Sequence, residues 1–105
     1  MKRFILAVSA WTFCALVVAQ TAGIVVKADG DCPAGYDRMI LETRSGYVLA
    51  EQYSGIFSEG WRVYGNLHSY GFKNVKVNNN DARVYIEDYM ASKDRAIEWC
   101  FGDED

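Results

Sequence analysis

Cys32 and Cys100 lie near opposite ends of the polar part of this 105-residue chain. The third cysteine, Cys14, lies in the apolar N-terminal run and is expected to leave with a cleaved leader. In an oxidising compartment the remaining two cysteines allow one intramolecular pairing, so the connectivity follows directly. The two are far apart in sequence and form no C-x-x-C motif, which favours a structural disulfide over a redox-active one. Closing so long a loop stabilises a chain by about 4 kcal/mol, a large share of what a small domain has.

The N-terminal segment is typical of an export signal. Lys2 and Arg3 are followed by an apolar run over residues 4–19 without a charged residue. A Val-x-Ala pattern, suited to signal peptidase, ends at Ala19 and again at Ala28. We predict a signal peptide over residues 1–28 with cleavage after Ala28, and keep cleavage after Ala19 and an uncleaved anchor over residues 4–26 as alternatives. The expected location is secreted or periplasmic.

The predicted mature segment, residues 29–105, is a single small domain. It contains 8 Lys and Arg against 14 Asp and Glu, a net charge of −6, whereas the full chain carries −3. Such a field repels polyanions, so we expect neither nucleic acid nor, once the leader is removed, a membrane among the partners.

Alternating apolar residues predict five strands, over residues 38–43, 47–53, 61–67, 72–77 and 82–88. Turns are predicted at residues 44–46 and at the Asn-rich residues 78–81. Because all connections between strands are short, neighbouring strands should be antiparallel. The order β-β-β-β-β-α predicts a mainly β meander, curled into a partly open barrel of SH3-like or OB-like type. An open sheet with the helix on one face is the alternative.

The period changes near the C-terminus, where a helix of about ten residues is predicted. Ser92 is a suitable N-cap, and Gly102 stands where a helix ends. We expect the disulfide and the side chains of Ile97 and Phe101 to dock this helix. The apolar arc of the helix is expected to comprise Ala96, Ile97, Cys100 and Phe101.

No pattern in the sequence predicts catalysis or a bound metal. His68, the single histidine, has no neighbour placed to form a catalytic pair. Glu42 and Glu51 could face each other across the first hairpin, but a domain this small has little cleft in which to desolvate one of them. The Asn-rich turn lacks the spacing of a calcium loop. We therefore predict a protein that is not an enzyme and has no cofactor or metal.

Aromatic side chains indicate a contact surface instead. Tyr64 and Tyr85 should point outward on the strands that flank outward-facing Lys76, with Arg62 and Arg83 at the edge. Tyrosine offers large contact area at low entropic cost, although outward tyrosines also serve as plain cross-strand pairs. A second group consists of Tyr53, Phe57 and Trp61, which bracket the loop over residues 54–60 and either form core beneath the loop or line a ligand site.

These observations predict an exported, non-enzymatic binding module for a protein or glycan. The alternative is a secreted inhibitor or effector that acts on a hydrolase through the loop at residues 54–60.

Overall fold

The computed structural model describes residues 21–102. Within this part of the chain, six antiparallel strands close into a small barrel. The strands run in the ring order β1-β2-β3-β6-β5-β4, and one helix, α1, follows them. Their bounds are β1 Thr21–Lys27, β2 Arg38–Thr43, β3 Gly46–Ser54, β4 Arg62–Gly65, β5 Gly71–Val77, β6 Asn80–Ala91 and α1 Lys93–Phe101.

The predicted fold class, a small mainly β domain with a C-terminal helix, is confirmed, with three refinements. The strand β1 is additional, since sequence patterning placed its residues in the leader. The barrel is closed, because β1 pairs with β2 on one side and with β4 on the other. The ring is also more than a simple meander, because β3 pairs with β6 and the chain crosses one end of the barrel between β3 and β4.

Two apolar clusters lie on opposite faces of β2 and β3. Met39, Leu41 and Val48 point into the barrel, whereas Ile40 and Leu49 point outward beneath α1. All five are buried, so the middle of each strand has consecutive apolar residues and no alternation of apolar with polar residues. The helix therefore covers part of the barrel and leaves the strands farther from it exposed to solvent on their outer faces.

The ends of α1 agree with the prediction, and its buried face agrees at Ala96 and Cys100 but not at Ile97 and Phe101. The Ser92 hydroxyl accepts a hydrogen bond from the Arg95 amide at 3.1 Å, and the Gly102 amide donates to the Glu98 carbonyl at 2.9 Å. Ala96, Trp99 and Cys100 are buried. The docking role predicted for Ile97 and Phe101 is wrong, since their side chains are 45% and 51% exposed.

In this rotation of the helix Trp99 contacts Arg38 of β2. The Arg38 guanidinium lies over the indole ring, with Cζ 4.6 Å from the ring centroid, and donates a hydrogen bond to the Trp99 carbonyl. Such cation–π stacking favours a position against β2 for Trp99. Five of the six residues from 96 to 101 are apolar, so the sequence alone permits more than one buried face.

The predicted disulfide is confirmed. Cys32 and Cys100 are bonded, with Cα atoms 4.6 Å apart and a sequence separation of 68. The amide of Ala34 also donates to the Cys100 carbonyl at 3.0 Å. The disulfide thus ties the segment between β1 and β2 to the last turn of α1.

Candidate functional site

A tight turn between β5 and β6 defines one end of the barrel. Asn78 and Asn79 have φ angles of 52° and 69°, and Val77 pairs with Asn80. Two consecutive residues with positive φ identify a two-residue hairpin turn, for which asparagine is well suited. The turn predicted from the Asn-rich sequence is therefore confirmed, and its two amide side chains project beside β4.

A hollow lies between this turn and β4. It is an open groove of about 500 Å³, which we call the Trp61 groove. Four of the side chains proposed from the sequence as binding residues meet here, together with the two amides of the turn. The groove is lined by Trp61, Arg62, Tyr64, Lys76, Asn78 and Asn79.

The aromatic wall of the groove is held by β1. The amide of Val25 donates to the Trp61 carbonyl at 2.9 Å, and the amide of Trp61 donates to the Ser58 carbonyl at 3.0 Å. The Trp61 ring is half-buried and packs on the barrel core. Tyr64 is cross-strand neighbour to Lys76, and its side chain is 46% exposed. The groove therefore has a fixed base with an accessible aromatic surface.

The charge of the Trp61 groove is opposite to that of the chain. Lys76 forms an ion pair with Asp81 at 2.7 Å. Arg62 is exposed and forms no ion pair with any side chain in residues 21–102. Among the described residues, the lining of the groove contains two cations and no carboxylate, with Asp81 paired to one of the cations, although the chain carries −3. The groove is thus electrostatically suited to an acidic ligand.

A second aromatic group, the Phe72 cluster, lies on the outer face of β3, β5 and β6. The ring of Phe72 meets those of Tyr53 and Tyr85 edge-on, each with centroids 4.8 Å apart. The Arg83 guanidinium lies over Phe72, with Cζ 4.8 Å from the ring centroid. These are close cross-strand aromatic contacts on a convex surface, and packing of the sheet accounts for them.

The predicted contact surface of Tyr64, Lys76 and Tyr85 is therefore not continuous in the structure. Tyr64 is opposite Lys76, but Lys76 is opposite Asp81, and Tyr85 is opposite Phe72. The two-residue turn at Asn78 fixes this register. Tyr85 and Arg83 consequently belong to the Phe72 cluster and not to the Trp61 groove.

The second group proposed from the sequence is also divided. Tyr53 is 57% exposed in the Phe72 cluster, and Trp61 lines the groove. Of the two roles left open for Phe57, the structure excludes contact with a ligand and shows a core residue, because its side chain is only 2% exposed. Phe72 was not proposed from the sequence as a contact residue. Because side chains alternate between the two faces of a strand, the inward direction of Val75 already predicts an outward direction for Phe72.

The carboxylates do not form a facing pair. Glu51 lies opposite Arg38 and Glu42 opposite Tyr47. Burial raises the pKa of Glu51, as do the negative charges of Glu87 and Asp37, while Arg38 opposes them. A raised pKa means that the charged carboxylate is less favourable in the folded protein. The contribution of Glu51 to the free energy of unfolding therefore falls as the pH rises from its pKa in the unfolded chain to its higher pKa in the folded protein.

His68 lies away from both aromatic surfaces. Its Nε2 atom is 3.5 Å from the Ser45 hydroxyl, and its ring is 5.9 Å from that of Tyr89, centroid to centroid. Across residues 21–102, no three His, Cys, Asp or Glu side chains come together as metal ligands. Nor does this range contain a helix of the length and apolarity required to cross a membrane.

The class of protein defined by these features is a disulfide-closed, six-stranded antiparallel barrel with one docked helix and an aromatic, locally basic groove. Comparison with known proteins finds no matching family model, no matching curated protein and no matching solved structure.

Proposed function

We propose that this protein is an exported, non-enzymatic binding module that holds a glycan bearing acidic groups in the Trp61 groove. The observation that carries the proposal is the meeting of two aromatic rings, two cations and two amides on one concave surface. Export is supported by the N-terminal charge and apolar pattern and by the disulfide.

Each type of side chain has a role with such a ligand. The Trp61 and Tyr64 rings offer flat apolar faces on which sugar rings can stack, and asparagine amides donate to and accept from hydroxyl groups. Arg62 can bind a carboxylate through two parallel hydrogen bonds. The groove is open rather than enclosed, which suits one segment of a chain-like ligand better than a fully engulfed small molecule.

Loss of either groove contact should weaken glycan binding. For a uronic-acid oligosaccharide measured by titration calorimetry at low salt, we expect Tyr64→Ala and Arg62→Ala each to raise Kd about tenfold or more. Tyr53→Ala is the matched control, because Tyr53 is an exposed strand tyrosine outside the groove, and its Kd should stay within about twofold of wild type.

A neutral oligosaccharide of equal length is the ligand control, and it should bind more weakly than the acidic one. Equal Kd values for wild type and both groove variants would contradict the proposal. If the wild type binds a protein but no glycan, and Tyr64→Ala abolishes that binding, the ligand of the groove is a protein and not a glycan.

A second candidate function is inhibition of an extracytoplasmic hydrolase by residues 54–60. Ile56 is 72% exposed, while the adjacent Phe57 is buried in the core. The amide of Gly60 donates to the Val25 carbonyl at 2.8 Å, which fixes the other end of the loop. An apolar side chain presented on a restrained loop loses little conformational entropy when it enters a partner's pocket.

For this candidate we expect Ile56→Asp to abolish inhibition in a panel of secreted proteases and glycosidases, because a carboxylate cannot enter an apolar pocket cheaply. Glu59→Gln, in the same exposed loop, should leave inhibition unchanged. If Ile56→Asp still inhibits, or if the wild type inhibits none of these enzymes, the loop is excluded as an inhibitory element.

A further inference from the structure

The strand β1 is part of the barrel wall and not an appendage. It pairs with β2 from Ile24 to Lys27 and with β4 from Thr21 to Ile24. Val25 is 1% exposed inside the barrel, and Ala28, directly after the strand, is 2% exposed. The segment that continues the apolar N-terminal run is thus the element that closes the ring.

From this position we infer that the export leader is removed between Ala19 and Gln20, so that the mature protein begins at Gln20 and keeps β1. The inference rests on the export part of the proposed function. Ala19 completes a Val-x-Ala pattern at the end of the apolar run, as signal peptidase requires. Residues 1–20 lie outside the described part of the chain.

Cleavage after Ala28 would remove all of β1. The facing edges of β2 and β4 would lose their hydrogen-bond partners, and the place of the Val25 side chain would be left empty. The hydrogen bond that the Val25 amide donates to the Trp61 carbonyl would also be lost, as would the one that the Val25 carbonyl accepts from the Gly60 amide, and with them the support of the Trp61 groove. Of the two Val-x-Ala sites, only the one at Ala19 therefore yields a closed barrel.

The inferred N-terminus has a chemical consequence. The free α-amine of an N-terminal glutamine attacks the carbonyl carbon of its own side-chain amide, a five-membered lactam forms, and ammonia leaves. The step involves no oxidant or reductant. The product at Gln20 has no terminal positive charge and is lighter by one ammonia. The processed chain would then carry 9 Lys and Arg against 14 Asp and Glu.

The test is to express the full chain in a bacterium that exports it to an oxidising compartment, and to measure the intact mass of the purified product. We expect residues 20–105, minus one ammonia and with the disulfide formed. A product that begins at Asp29 would overturn the inference and leave export standing. Recovery of the intact full chain with the disulfide formed would overturn the cleavage and indicate an uncleaved anchor, whereas an intact chain without the disulfide would contradict export itself; neither result depends on whether the groove binds a glycan.

Two variants sharpen this result. Ala19→Leu places a large side chain at a position read by a small pocket and should lower the yield of processed protein about tenfold or more. Ala15→Leu, the same change within the apolar run, should be processed as wild type. Equal processing of both would contradict cleavage after Ala19.

A direct comparison of leaderless chains tests the structural reason. Chains comprising residues 20–105 and 29–105 are produced under oxidising conditions and followed by circular dichroism during heating. The longer chain should give a cooperative transition and the shorter one none. A shorter chain that melts cooperatively at the same temperature would overturn the inference.

Discussion

Replacing both disulfide cysteines, Cys32→Ala with Cys100→Ala, is expected to lower the free energy of unfolding by about 4 kcal/mol. The bond spans 68 residues of sequence, so its loss frees nearly all of the domain in the unfolded state. It also releases the segment before β2 from the last turn of α1, a short helix that would not persist alone in water. Urea denaturation of the oxidised wild type and the double variant measures the difference.

Wild type treated with a reducing agent should unfold at the same urea concentration as the double variant, since both lack the bond. Cys14→Ala is the matched cysteine control, because Cys14 lies in the predicted leader and would be absent from the processed protein. An unchanged urea midpoint in the double variant would mean that the disulfide adds no stability.

Features with a local cause were predictable from the sequence. The hairpin of β2 and β3, the turn at Asn78 and the caps of α1 each depend on residues within a few positions of one another. The disulfide was predictable for a different reason, since two cysteines leave no choice of partner. Each of these features is determined without knowledge of the barrel.

Closure of the barrel was not predictable in this way. The apolar residues of β1 continue the run that begins at Phe4, and a short apolar stretch beside a leader is compatible with either element. What distinguishes them is pairing with β4, whose residues lie about forty positions farther along the chain. Such a contact leaves no local signal in the sequence.

Half of the binding residues proposed from the sequence line the groove, and the register between β5 and β6 keeps Tyr85 and Arg83 out of it. Alternation correctly placed Tyr64 and Lys76 on the outer face, and they are direct neighbours. The position of Tyr85 depends on which residue of β5 it faces, and this was set by the length of the turn between β5 and β6. Asn78 and Asn79 were predicted as turn residues, and their second role in lining the groove follows only from the turn's position beside β4.

The loop between β3 and β4 connects the core to both proposed functions. It begins at Gly55, passes the buried Phe57 and ends at Trp61 in the groove. Its first residue is the tightest point, because an added Cβ at Gly55 would lie 2.5 Å from the Cβ and 3.0 Å from the Cα of Ala82. A substitution there tests how closely the loop must approach β6.

Gly55→Ala is accordingly expected to lower the free energy of unfolding by about 3 kcal/mol or more. Gly55 has a φ of +96°, which side chains rarely adopt, and the added methyl group meets Ala82, buried at 5% exposure on β6. The loop must then move away from the barrel, which disturbs Phe57 and Trp61 together. Thermal unfolding by calorimetry measures the loss, and the glycan affinity of the groove should fall with it.

Gly60→Ala in the same loop is the matched control. Gly60 has a φ of +89°, but an added Cβ meets nothing within 4 Å, so only backbone strain of about 1–2 kcal/mol is expected. The difference between the two variants isolates the contact with β6. Adding Ala82→Gly to Gly55→Ala removes the 2.5 Å contact and should restore part of that difference. Equal losses for Gly55→Ala and Gly60→Ala, with no recovery in the double variant, would mean that strain alone fixes the loop and that its close approach to β6 is not required.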